Sequence, residues 1–201
     1  YLNSGEGLIL DVGCGCGHLA AGIASRTKSK VVGIDNYGKA IKRAKQLYGK
    51  QKNLSFEVAD VYQLKGKYRD VGLLTCEQSL HHFDNLNKAL DQMISVLHPK
   101  GTLFIQDFDR RLGDQQMRLF IRDPRMVELY VKLTSGNADE IKAFLQRTRL
   151  INDRHIITFF SLLAGYKSDE VTERLNRKDF DTLCDYQRDK ATYLIIAGRK
   201  Q

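Results

Sequence analysis

Asp11 and Asp35 each close a short apolar run, Leu8-Ile9-Leu10 before the first and Val31-Val32-Gly33-Ile34 before the second, and Asp60 closes the alternating stretch Leu54-Ser55-Phe56-Glu57-Val58-Ala59. A carboxylate there attracts a cation and accepts hydrogen bonds from hydroxyl groups. After Asp11 the glycines Gly13, Gly15 and Gly17 alternate with other residues. Without a β-carbon the chain turns sharply at such points and lays its backbone against a ligand. Farther along stand Glu77, His81, His82 and Asp107. These side chains can hold or take a proton from a reacting group.

The elements that position them follow from the hydrophobic pattern. An apolar run ending in an acid and a glycine turn reads as a strand feeding a helix. Helical patterns then alternate with strands, at about 18–26, 38–49 and 85–97 for helices and about 70–76 and 102–107 for strands four and five. Pro99-Lys100-Gly101 marks a turn after the helix, since proline cannot continue it and glycine tolerates positive φ. Residues 180–186 and 192–200 read as two further strands. The three acids sit at the carboxyl ends of successive strands, where open α/β sheets bind ligands. Asp35, roughly twenty residues past the glycines, stands where a carboxylate takes ribose hydroxyls, with Asn36 beside it as a helper. A plain N-cap of the next helix is the other reading of Asp35.

Spacing separates two cofactor classes. A dinucleotide fingerprint, G-x-G-x-x-G, would need a glycine at the position held by His18. The pattern Asp11-x-Gly13-x-Gly15-x-Gly17 resembles instead the first motif of class I S-adenosylmethionine-dependent methyltransferases. Leu97-His98-Pro99-Lys100-Gly101-Thr102 is a close variant of that family's turn before strand five, and Thr75-Cys76-Glu77-Gln78-Ser79-Leu80-His81-His82-Phe83 resembles its loop after strand four in enzymes acting on small molecules. The final Gly198-Arg199-Lys200 is also family-like. The resemblance covers residues 8–107 and 166–201.

The resemblance implies a Rossmann-like, doubly wound α/β fold: a seven-stranded sheet of order 3-2-1-4-5-7-6 with the last strand antiparallel. It implies S-adenosylmethionine as cofactor, held by Asp11, by the turn residues Gly13, Cys14, Gly15 and Gly17, and by Asp35, Asn36 and Cys76. Asp60 would face the adenine amino group, with the Val61 backbone at the ring. His82, Glu77 and Asp107 are the candidate catalytic groups near the methyl, each expected at a strand's carboxyl end, and His81 shares the candidacy as a base. An oxygen or nitrogen acceptor with a proton to lose would use such a base, whereas a carbanion or free amine would not. The acceptor is expected to be a small molecule. The alternatives are RNA methylation, which lacks here the Asn/Asp-Pro-Pro-Tyr loop of base-amine methylators, and a regulatory protein that binds the cofactor without turnover.

The chain of 201 residues suffices for one domain and its core. Residues 110–165 are too long for a simple connection and read as a helical insertion after strand five, a cap over the crevice. Asp123-Pro124 and Asn137 with Glu140 give helix-start patterns, and the apolar run Ile156 to Ala164 is too short to cross a membrane. The other reading of these helices is core extension or a homodimer contact. The net charge of +8 would attract polyanions. Lys39, Lys42, Arg43, Lys45, Lys50 and Lys52 around one helix read first as a solvated face, so nucleic acid is not favoured as a partner. Four cysteines without disulfide-like spacing point to the reducing cytoplasm. Cys14 with Cys16, or His81 and His82 with Asp84, do not complete a metal site, and no metal is expected. Because Tyr1 lies only a few residues before strand one, an upstream segment is expected to contribute to the acceptor-site lid.

Overall fold

A computed structural model describes residues 7–109, 165–187 and 192–199, together with Glu128 and Ala143. Strands β1 (Leu8–Val12), β2 (Val31–Asp35), β3 (Leu54–Val58), β4 (Val71–Glu77), β5 (Leu97–Phe108), β6 (Phe180–Gln187) and β7 (Thr192–Arg199) form one sheet of order β3-β2-β1-β4-β5-β7-β6. The first five are parallel to their neighbours, while β7 runs antiparallel to both β5 and β6. This is the expected doubly wound order. Helices α1 (His18–Ala24), α2 (Gly38–Tyr48), α3 (Leu86–Val96) and α4 (Ser168–Asn176) cover the faces.

The inner strands carry nearly unbroken apolar runs because helices bury them from both sides. Ile9, Val31, Leu54 and Phe56 pack with Ala20, Ala21, Ala24, Ile41 and Ala44 of α1 and α2. The small alanines let α1 lie close to the sheet. Leu10, Val12, Val32 and Ile34 join the larger core under α3 and α4. On α3 the buried residues Leu86, Ala89, Leu90, Met93 and Val96 recur at helical spacing and form one stripe. Its start is fixed by Asn85, whose side chain accepts from the Lys88 amide at 3.0 Å. The helix Ser168–Asn176 was not singled out by any sequence motif.

The segment after α3 corrects one expectation. β5 already begins at Leu97, which pairs with Val71, and Thr102 then pairs with Leu73. Residues 98–101 therefore bulge opposite a single residue of β4. Gly101 is not in a positive-φ conformation. A β-carbon there would stand 2.5 Å from the Val71 carbonyl oxygen and 2.9 Å from that of His98, so close backbone approach requires the glycine.

The helical insertion expected at 110–165, including the starts at Asp123 and Asn137 and the apolar run from Ile156, falls outside the described residues apart from Glu128, Ala143 and Gly165. No described helix is long and apolar enough to cross a membrane.

Candidate functional site

The turn after β1 is held from two directions. The amides of Gly13 and Cys14 both donate to the Ile34 carbonyl at the end of β2, at 2.8 and 2.9 Å. Gly15, at φ 53°, donates its amide to Oδ2 of Asp35 at 2.9 Å. The other carboxylate oxygen of Asp35 accepts from the Tyr37 amide at 2.8 Å. Asp35 is therefore not the N-cap of α2. That position belongs to Tyr37, which makes no side-chain capping bond. The carboxylate instead locks the glycine turn to the end of β2 and keeps lone pairs for further donors.

Gly13 adds a steric condition. A β-carbon there would lie 2.4 Å from both Cβ and Oγ of Ser79. Ser79 Oγ donates to the Gly13 carbonyl at 2.8 Å, so the turn is clamped onto the loop after β4.

Asp11 is buried beside this turn, at 2% exposure. Thr75 Oγ1 donates to its Oδ1 at 2.6 Å, while Oδ2 has no hydrogen-bond partner among the described residues. Its pKa is raised to about 6, chiefly because burial penalises the charge; Glu77 and Asp35 push the same way, and the Thr75 bond and the Ala20 amide at the start of α1 oppose them. Where it is ionised, its charge favours a cation in the adjoining hollow.

A cleft of about 350 Å³ lies over the carboxyl ends of the strands, lined by Gly13, Gly15, Asp35, Asn36, Asp60 and Val61 among the sequence candidates. A second hollow of about 340 Å³ is lined by Asp11, Cys14 and Glu77. Gly13, Gly15, Asp35, Ser79 and His82 line both, so the two meet as one groove. Asp60 caps a short 3-10 turn, Val61–Gln63, by accepting from the Tyr62 amide at 2.9 Å.

Three candidates stand elsewhere. Cys76 is fully buried in the core, where desolvation pushes its thiol well above the ordinary range. Gly17, at φ 83°, caps α1 and faces the Phe56 ring. Asp107 is 1% exposed and does not line the groove. Its Oδ1 lies 2.6 Å from His81 Nδ1, and its Oδ2 accepts the His81 amide at 3.2 Å. A carboxylate only accepts, so the ring donates from Nδ1.

His81 in turn touches His82, with ring centroids 4.0 Å apart. His82 lines the groove on a 3-10 turn, Leu80–His82, that follows β4. Partial burial first, and then the neighbouring His81, hold its pKa below the usual imidazole value; Asp107 and Asp35 pull it back only in part. The groove thus presents a neutral imidazole at pH 7.

Sequence reasoning missed Ser79 and Tyr37 as lining residues. Ser79 follows Gln78, a non-glycine residue at φ 47°, and no local pattern marks that backbone kink. Tyr37 follows Asp35-Asn36 directly, and that adjacency was the available signal. Among the described residues no group of three or more His, Cys, Asp or Glu side chains is placed to hold a metal. Among the described residues the cysteines form no disulfide.

The sheet order, the glycine turn between β1 and α1 and the acid-lined groove over the strand ends define a class I methyltransferase type of α/β fold. Residues 4–149 match the family model described as a methyltransferase domain, and the chain belongs to that family. It is 32% identical over 110 residues to the 27-O-demethylrifamycin SV methyltransferase of Amycolatopsis mediterranei (strain S699), which covers 53% of this chain and 40% of that one. It is 32% identical over 116 residues to the 2-phytyl-1,4-naphtoquinone methyltransferase of Nostoc sp. (strain PCC 7120 / SAG 25.82 / UTEX 2576), covering 55% and 50%. The chain spans half or less of the length of these curated relatives. Among solved structures, magnesium protoporphyrin IX methyltransferase from Synechocystis PCC 6803 with bound SAH matches with a TM-score of 0.63 at 18% identity, over 98% of this chain and 76% of that one. The plantazolicin methyltransferase BpumL, in complex with a desmethylPZN analog and SAH, matches with a TM-score of 0.62 at 14% identity, over 99% and 79%.

Proposed function

We propose that this domain binds S-adenosylmethionine in the groove over β1, β2 and β3 and transfers its methyl group to an oxygen, nitrogen or carbon atom of a small-molecule acceptor. The observation that carries the reading is the groove over the glycine turn, which runs from Asp11 past Asp35 to Asp60. A cationic ammonium satisfies the first carboxylate, ribose hydroxyls suit the second and an adenine amino group suits the third. The cleft and the open space at Gly15 accommodate such a ligand. The names of the rifamycin and naphthoquinone relatives support a small-molecule acceptor.

When bound, this cofactor supplies a methyl group already activated on a sulfonium. The chain's own task is then placement and exclusion of water. Asp11, Asp35 and Asp60 hold the donor in register, and the Gly13–Ser79 clamp fixes the turn against which it lies. His82, neutral and exposed to both hollows, takes the proton of a hydroxyl acceptor at a ring nitrogen. Glu77, on the Asp11 side of the groove, orients the acceptor. Asp107 acts through His81, fixing the ring that packs on His82, and is a positioning residue.

The test is release of S-adenosylhomocysteine from S-adenosylmethionine with panels of phenols, hydroquinones, carboxylates and amines, and with total RNA. Turnover with a small-molecule class is the expected result. Turnover on RNA alone, or cofactor binding with no turnover on any acceptor, would replace this reading.

A further inference from the structure

Residues 14–56 hold nine of the chain's 32 Lys and Arg residues and one of its 24 Asp and Glu residues. Their formal charge of +8 equals that of the whole chain, and the remaining residues balance at 23 of each sign. The imbalance is also spatial. This stretch builds α1, β2, α2 and the loops leading to β3, at the end of the sheet where β3 is the edge strand. All nine cations are exposed, among them Lys39, Lys42, Arg43, Lys45, Lys50 and Lys52. None forms a salt bridge among the described residues.

Helix α2 arranges the charges of its first turn against its own stability, while Lys45 in the last turn suits the dipole. It contains no acid, and Lys39 sits in the first turn, where the helix dipole favours a negative charge. Lys39 also faces Lys42 and Arg43 at i+3 and i+4, a like-charge spacing that opposes helix formation. The same chain follows the opposite rule in α4, with Asp169 and Glu170 in the first turn and Arg174 in the last. A local rule broken in one helix and obeyed in another marks a surface kept for something other than folding.

The composition of the patch selects the partner. Seven of the nine cations are lysines; Leu47 is exposed on α2, at 41%, and the more exposed Tyr37 at the helix N-cap lines the groove. Protein interfaces are poor in lysine and centre on aromatic or apolar anchors. Adsorption to a bilayer needs apolar side chains to insert. A phosphodiester backbone needs only closely spaced cations. We propose that the face formed by α2 and its flanking loops is a sequence-independent binding surface for the phosphate backbone of nucleic acid. None of its cations lines the groove, and the proposal does not depend on the proposed methyl transfer.

Fluorescence anisotropy of the full chain with a labelled mixed-sequence RNA of about 20 nucleotides, titrated from about 50 to 200 mM salt, tests this. The expected result is binding whose logarithm falls linearly with the logarithm of salt, with a slope near −0.7 per phosphate contact. Lys42→Glu/Lys45→Glu/Lys52→Glu should weaken binding at least about thirtyfold and flatten the slope by about two. Lys65→Glu/Lys88→Glu/Lys100→Glu carries the same change in formal charge and should stay within about threefold of the parent. If the first triple variant melts early, its three single substitutions carry the same comparison. No binding at the lowest salt, equal losses in both triple variants, or preferential capture by phosphatidylserine vesicles would each overturn the proposal. Calorimetry with S-adenosylmethionine on the same variants should be unchanged, which separates failure here from failure of the cofactor assignment.

Discussion

His81 Nδ1 stands 2.6 Å from Asp107 Oδ1, and the two side chains are only 3% and 1% exposed. β5 supplies the carboxylate and the turn after β4 supplies the ring, so the pair ties the acceptor side of the groove to the centre of the sheet. Removing one partner leaves a buried charge or donor without its complement. Asp107→Ala is expected to cost about 3 kcal/mol, and His81→Leu a similar amount. The double substitution should cost clearly less than the sum, and thermal melts of the three variants measure that coupling. Additive losses would show that the pair does not act as a unit.

The pKa of Asp11, raised from 3.8 to about 6, links stability to pH with a definite sign. The folded state holds the proton more tightly, so this contribution to stability is fully present below pH 3.8 and is lost as pH rises through about 6. Asp11→Asn removes the penalty of the buried charge and keeps an acceptor for Thr75. It is expected to raise the melting temperature at pH 7.5 by several degrees while weakening cofactor binding. The two effects in opposite directions distinguish a ligand carboxylate from a structural one.

The same ionisation governs the cofactor. Affinity for S-adenosylmethionine should fall as pH drops through about 6, because neutral Asp11 no longer attracts the ammonium. Titrations at pH 5 and pH 7.5 on the wild type and on Asp11→Asn measure it, and only the wild type should respond.

His82 should act without supporting the fold. His82→Gln is expected to lower kcat on a hydroxyl acceptor about 100-fold with cofactor affinity unchanged. Since burial lowers its pKa below the ordinary 6.5, the loss of turnover on acidification should set in at a lower pH than for a free imidazole. A kcat unaffected by the substitution removes His82 from proton transfer.

Gly13→Ala is expected to destabilise by about 2 kcal/mol, since the added carbon meets Ser79 and the residue is held at positive φ. Ser79→Gly in the same chain should recover the steric part and leave the conformational part, as read by melting temperature.

The strand order was legible only through resemblance, because the glycine turn after β1 and the residue patterns around 97–102 and 180–200 are similar to one family's; periodicity alone did not supply it. The groove was legible more directly: Asp11, Asp35, Asn36, Asp60 and Val61 are short-range consequences of where strands end. Cys76 and Asp107 were not placed correctly by adjacency alone. Both lie on strands near the groove, but strand alternation turns one side chain of each neighbouring pair away from it. Cys76 points into the core while Glu77 reaches the groove. The Asp107–His81 bond joins residues 26 apart, and the clamp from Ser79 to Gly13 spans 66, so neither could be read from spacing. Gly101 was assigned its turn for a conformational reason, whereas the constraint is the Val71 carbonyl on the next strand.

The cofactor assignment is tested most directly by calorimetric titration of the purified chain with S-adenosylmethionine and S-adenosylhomocysteine, with NAD as control and Asp35→Ala beside the wild type. Saturable binding of the first two ligands, absent with NAD and lost in the variant, is the predicted result. Binding of NAD, or undiminished S-adenosylmethionine binding by Asp35→Ala, would contradict the account.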